Sequence, residues 1–210
     1  MTSPRRLRRL LAVTHEATIT GAPMNLLHFL RWVTEHTDVE VHTLIVRDGP
    51  LRDRFERVGD VTVLDESMPA RLLGLTQRGL VQLGSRRAWR RVAAARLLPQ
   101  LRHLTGYDVL YLNSLASTSV LEYVPEPATV VSHVHELQVA MRAWTPSSDR
   151  DLFLRRPDVY IASSRAVSDM LLGEFEQRAS GREEQDARRG ESIDPDQGRS
   201  AYAEQPDAER

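Results

Sequence analysis

Short apolar runs alternate along the chain with stretches in which apolar residues recur at helical spacing. Short continuous apolar runs are typical of strands buried on both faces, and the periodic stretches are typical of amphipathic helices. Strands that alternate with helices predict an α/β fold, here a Rossmann-like, doubly wound parallel sheet in a single domain. The predicted strands cover residues 10–14, 39–46, 61–64, 109–112, 129–132 and 159–162, and the predicted helices cover 26–36, 51–58 and 166–175.

The end of the sequence breaks this pattern. Residues 176–210 contain ten acidic residues and six arginines, and their only large apolar residues are Ile193 and Tyr202. Such a composition buries too little apolar surface to offset the entropy lost on ordering the chain. We therefore expect a folded domain over residues 1–175 and a polar, disordered tail over residues 176–210.

Composition excludes several classes of function. The net charge of -1 does not favour a general nucleic-acid binder. No apolar run approaches the roughly 18 residues of a membrane-spanning helix, and the apolar run after the basic start is too short for a signal peptide. The sequence therefore predicts a cytoplasmic protein. It contains no cysteine and no lysine, which excludes disulfides, thiolate metal sites and Schiff-base lysines.

A basic segment lies in the middle of the chain. Residues 68–107 contain eight arginines and no acidic residue, with Trp89, Leu97 and Leu101 at roughly helical intervals. One interpretation is an ordinary amphipathic helix with a solvated basic face. The other is peripheral contact with the anionic inner face of the membrane, or with a lipid-linked or phosphorylated acceptor.

Polar residues follow directly after most of the predicted strands. The carboxyl ends of parallel strands meet at one edge of the sheet, where open α/β sheets place their ligand crevice. A solvated loop is the alternative for any one of these residues. The candidate binding residues at this edge are Gly21, Ala22, Asn113, Ser114, His133, Glu136, Ser164 and Arg165.

His133 and His135 are the most informative of the strand-end residues. If the strand continues through them, both side chains point to the same face, as two imidazole ligands of a metal would. No third ligand has a spacing that supports such a site, so we predict no metal. We interpret the pair as hydrogen-bonding groups for sugar or acceptor hydroxyls, with structural histidines as the alternative.

Gly21 stands between the first strand and the first helix. A small residue there lets a ligand approach the backbone, and the following helix N-terminus offers free N–H groups to an anion. A single glycine does not make the G-x-G-x-x-G pattern, so the sequence predicts no dinucleotide site.

Four segments, in order, resemble the N-terminal domain of the family-4 glycosyltransferases of the GT-B type. They are residues 13–23, 108–114, 130–137 and 158–167. In that family two Rossmann-like domains face each other across a cleft; the C-terminal domain binds the nucleotide-sugar and the N-terminal domain binds the acceptor. The resemblance implies a hexosyltransferase that retains anomeric configuration, needs no metal or other cofactor, and uses a nucleotide-sugar as co-substrate.

The resemblance also implies roles for individual residues. Gly21 would lie near the donor phosphates after closure, and His135 would be the catalytic residue near the transferred sugar. Asn113, Ser114 and Glu136 would line the acceptor side.

The family's donor-binding half has no counterpart after Phe175, so this chain is expected to be the acceptor-side half. A separate donor-binding domain is then the expected partner. The alternative function is a non-catalytic Rossmann-like binding or interaction module, kept after loss of the donor-binding domain.

Overall fold

The structure is a computed structural model that describes residues 7–64, 98–99, 101–125, 129–139, 141 and 147–191. Contacts within the chain divide it into two units, Met1–Ser168 and Asp169–Arg210. The sheet and all the candidate site residues belong to the first unit.

Six strands form one parallel sheet in the first unit, which confirms the predicted Rossmann-like α/β fold. The strand order is β3-β2-β1-β4-β5-β6, so the direction in which strands are added reverses between β1 and β4. Open α/β sheets bind their ligands beyond the carboxyl ends of the strands at such a reversal. The strands are β1 (Arg9–Thr14), β2 (Glu40–Ile45), β3 (Asp60–Val63), β4 (Val109–Asn113), β5 (Thr129–Val134) and β6 (Val159–Ala162).

In the described part of the chain, helices follow five of the six strands. They are α1 (Gly21–His36), α2 (Arg52–Glu56), a 3-10 helix (Leu115–Glu122), α3 (Ser147–Phe153) and α4 (Arg165–Glu191). The last helix therefore extends beyond its predicted end at residue 175. Its second half is rich in Glu, Arg, Gln and Ala, which favour helix without needing an apolar face. Residues 192–210 lie outside the described part of the chain, and a domain boundary at residue 175 stays a prediction.

Each face of the sheet packs against its own apolar core. In the central strand β1, Leu11 and Val13 contribute to one core, whereas Leu10 and Ala12 contribute to the other. All four side chains are at most 3% exposed. This two-sided burial explains why β1 is a continuous apolar run rather than an alternating one.

The strand register brings the carboxyl ends of the central strands to one level. Asn113 pairs with Thr14 of β1 on one side and with His133 of β5 on the other. The residues that follow these strands therefore meet at one edge, as the sequence predicts.

The basic segment 68–107 falls mostly outside the described residues, so its contact with a membrane stays a prediction. Within the described part of the chain, no helix is both long enough and apolar enough to span a bilayer.

Candidate functional site

A chain of hydrogen bonds crosses the strand reversal at the carboxyl edge of the sheet. Asn113, which is fully buried at the end of β4, donates from Nδ2 to the carbonyl oxygen of Ala22 at 2.9 Å. The Oδ1 atom of Asn113 lies 3.1 Å from Nε2 of His135, the first residue after β5. This series, named below the Ala22–Asn113–His135 chain, joins the first turn of α1 to the ends of β4 and β5.

Glu136 braces the two loops beside this chain. One carboxylate oxygen accepts a hydrogen bond from the Ser114 hydroxyl. The other accepts from the backbone N–H of Leu115 at 3.3 Å and from that of His135 at 3.1 Å. Glu136 therefore accepts three hydrogen bonds from the protein and joins the loop after β4 to the loop after β5.

Ser114 occupies a strained backbone position at the start of the loop after β4. Its φ is 96°, in a region that side chains other than glycine rarely adopt. The Ser114 hydroxyl also accepts from the N–H of Ala116 at 3.1 Å. Hydrogen bonds to Glu136 and from Ala116 therefore hold this turn, and a ligand contact of Ser114 stays a prediction.

His133 belongs to a separate aromatic group under the same edge. Its Nδ1 atom lies 2.7 Å from the hydroxyl of Tyr111, and the Tyr111 ring stacks on Phe29 of α1 with centroids 5.0 Å apart. The rings of His133 and His135 are 4.1 Å apart, so the two imidazoles face the same side, as the sequence predicts. The structure extends β5 to Val134, so His133 lies inside the strand.

Both imidazoles are held neutral near physiological pH. Burial, with a smaller effect of the neighbouring His135, lowers the pKa of His133 to about 4, although the charge of Glu136 opposes the change. Burial also lowers the pKa of His135, opposed by Glu136 and reinforced by His15. Burial raises the pKa of Tyr111 to about 12, so its hydroxyl keeps its proton. The site thus presents neutral groups that suit hydroxyls.

The depressed pKa of His133 predicts a stability that depends on pH. The unfolded chain takes up this proton near the ordinary pKa of 6.5, whereas the folded chain takes it up only near pH 4. The contribution of His133 to the free energy of unfolding is therefore fully present above pH 6.5 and is lost as the pH falls towards 4. The free energy of unfolding should therefore fall between pH 7 and pH 4.5. We expect His133→Gln to make this fall smaller by about 1–2 kcal/mol, after allowance for solvent screening.

The measurement is urea unfolding of both proteins at the two pH values. His28→Gln, at an exposed position on α1, is the matched control for the replacement of an imidazole by an amide. Equal losses in wild type and His133→Gln would contradict the assignment.

An ion-paired group on the other side of the reversal was not among the predicted site residues. Glu16 contacts Arg47 at 2.6 Å and His15 at 3.4 Å, and it accepts from the hydroxyl of Thr18 at 2.8 Å. Burial raises the pKa of Glu16, but the Thr18 hydrogen bond and the charges of His15 and Arg47 together lower it. His15 and Glu16 follow β1 and Arg47 follows β2, and this position at strand ends could have identified them as site residues from the sequence.

The remaining predicted residues take no part in the Ala22–Asn113–His135 hydrogen bonds. Gly21 is exposed as the first residue of α1, and a Cβ atom there would meet nothing within 4 Å. Ser164 accepts from the N–H of Val167 at 3.3 Å, so it caps α4, and Arg165 is exposed beside it. Among the described residues, neither Ser164 nor Arg165 hydrogen-bonds to Ala22, Asn113 or His135.

Two further features bear on the site. Within the described residues, no group of three or more His, Asp or Glu side chains is arranged to hold a metal ion. An open cavity of about 430 Å³ lies between α1 and α2, where Leu27, Arg31 and Arg57 are among its lining residues. This cavity shares no lining residue with the Ala22–Asn113–His135 chain.

Comparison with known proteins adds little to this picture. No protein-family model and no curated protein matches the chain. One solved structure that it resembles is a UDP-N-acetylglucosamine 2-epimerase, with 10% identity and a TM-score of 0.45 over 80% of this chain and 45% of the other. Another, assigned as the same enzyme of Listeria monocytogenes, shows 12% identity and a TM-score of 0.42 over 81% and 43%. The chain spans less than half of each protein, and similarity at this level indicates no activity.

Proposed function

We propose that this chain is the acceptor-side domain of a GT-B glycosyltransferase that transfers a sugar from a nucleotide-sugar with retention of configuration. The observation that carries the proposal is the Ala22–Asn113–His135 chain, which crosses the strand reversal where this fold places ligands. The family-4 resemblance of residues 108–114 and 130–137 covers the same two strand ends.

The chemistry of the site supports a sugar rather than a phosphate at this position. His133 and His135 are neutral, and the carboxylate of Glu136 is engaged with Ser114 and two backbone N–H groups. Neutral groups that donate and accept hydrogen bonds suit the hydroxyls of an acceptor or of a transferred sugar. The donor diphosphate would then be bound by a second domain, as the resemblance implies, and no metal is required.

The test compares the chain alone with the chain fused to a donor-binding domain of a family-4 glycosyltransferase. We expect weak or undetectable binding of UDP- and GDP-sugars to the chain alone by calorimetry, because it would supply only part of the donor's positioning and charge stabilisation. We expect the fusion to release nucleoside diphosphate and to glycosylate an acceptor. Micromolar donor affinity in the chain alone would contradict an acceptor-side assignment. No transfer with any donor would favour the non-catalytic binding module.

A further inference from the structure

The side-chain amide of Asn113 has only one orientation that satisfies its surroundings. The carbonyl oxygen of Ala22 can only accept a hydrogen bond, so the atom of Asn113 that faces it at 2.9 Å must be the NH₂ group. A flipped amide would set two acceptor oxygens against each other in a fully buried place. The Ala22 carbonyl therefore fixes Oδ1 of Asn113 toward His135.

The orientation of Asn113 in turn fixes the proton on His135. The amide oxygen can only accept, and Nε2 of His135 lies 3.1 Å from it. The neutral imidazole carries a single N–H, which must be on Nε2 for this bond to form. The Nδ1 atom then holds a lone pair. Among the described residues, Nδ1 of His135 makes no hydrogen bond and is not one of the buried unpartnered atoms, so solvent or a ligand can reach it.

His133 lacks this constraint although it lies beside His135. Its Nδ1 atom faces the hydroxyl of Tyr111, which can either donate or accept. Either tautomer of His133 satisfies that contact. The two imidazoles are therefore distinguishable: the backbone carbonyl of Ala22, acting through Asn113, sets the tautomer of His135 alone.

We propose that Asn113 is a positioning residue that holds His135 in its Nε2–H tautomer, so that Nδ1 acts as a hydrogen-bond acceptor for a hydroxyl of the ligand. An anion such as sulfate, which carries no proton at neutral pH, offers only acceptor oxygens and finds no donor on this atom. The site therefore selects a polyhydroxyl compound over an anion. The choice of a sugar as that compound rests on the proposed function, whereas the tautomer does not.

The tautomer can be read directly in the unmodified chain. Long-range ¹H–¹⁵N NMR spectra of chain labelled in histidine distinguish a protonated from an unprotonated ring nitrogen. We expect Nε2 of His135 to be protonated, with its proton protected from exchange by Asn113, and Nδ1 to be unprotonated. A proton on Nδ1 of His135 would overturn the proposal without any variant.

Two variants separate positioning from simple support of the fold. Asn113→Ala should abolish the exchange protection of the Nε2 proton. Tyr111→Phe is the matched control and should change only the signals of His133. Unchanged His135 signals in folded Asn113→Ala would overturn the proposal. If that variant does not fold, the tautomer of His135 in the unmodified chain still tests the proposal.

Ligand class is tested with glucose and sulfate on the same labelled chain at pH 7.5. We expect glucose to shift the Nδ1 resonance of His135 and sulfate to leave it unchanged. A response to sulfate with a rise in the pKa of His135, or no response to glucose, would overturn the hydroxyl assignment. These spectra need no donor domain and no turnover, so a failure of sugar transfer and a failure of this inference are distinguishable.

Discussion

His135→Ala should reduce sugar transfer by at least about 100-fold in the chain fused to a donor-binding domain, which is the low end of the range for a positioned proton-transferring or hydrogen-bonding group. His135 is placed directly after β5, and its Nε2 atom is held by Asn113. Loss of the imidazole removes the group that we propose contacts the reacting sugar. The measurement is the steady-state kcat and KM of the fusion.

The same substitution should change folding little. Asn113 loses one partner, but His135 is only partly buried, so water can enter and satisfy the freed amide oxygen. We expect a nearly unchanged melting temperature. A structural histidine would instead leave a buried group unsatisfied, at a cost of about 1–3 kcal/mol. His28→Ala, at an exposed site on α1, is the control for removal of an imidazole.

The results separate the two interpretations. Retained transfer with a large fall in melting temperature would identify His135 as a structural residue. If both quantities fall, His135→Gln decides, because it keeps a hydrogen-bonding side chain of similar size. Its stability should return to that of wild type while transfer stays low.

The sheet was predictable because strands that are buried on both faces appear in the sequence as continuous apolar runs. Leu10 and Leu11 are adjacent in sequence, yet they lie in opposite cores, as expected for a strand covered on both faces. Each predicted strand lies within two residues of its observed ends. The extension of α4 to Glu191 was not predictable from apolar spacing, because that part of the helix carries no apolar stripe.

The candidate site was predictable as a place and only partly as a set of contacts. The rule that ligands bind at carboxyl ends of strands selects Asn113, His135 and Glu136, which the structure brings together. The bond between Tyr111 and His133 depends on the register of β4 against β5, which sequence periodicity does not specify. The hydrogen bonds to Glu136 depend on the positive φ of Ser114. A positive φ is usually signalled by a glycine, and this position is a serine, so the sequence did not predict it.

Gly49→Ala should destabilise the fold by about 1–3 kcal/mol, the usual range for overpacking a close contact. A Cβ atom at Gly49 would lie 2.5 Å from the carbonyl oxygen of Ala17, closer than real Cβ contacts allow. That oxygen accepts from the N–H of Leu51 at 2.8 Å, and Ala17 is fully buried. Relief of the clash therefore requires the loop after β1 to separate from the loop after β2. Urea unfolding measures the change.

Gly21→Ala is the matched glycine substitution at the same edge of the sheet. A Cβ atom there meets nothing within 4 Å, and the residue is the first of α1, so the free energy of unfolding should stay within about 0.5 kcal/mol of wild type. If Gly49→Ala proves as stable as Gly21→Ala, the two loops move apart freely and the contact does not hold the site. In the fusion, the same Gly21→Ala protein separates the roles of the two glycines. We expect it to lower transfer without loss of stability, because the open space at Gly21 would be left for the ligand rather than for packing.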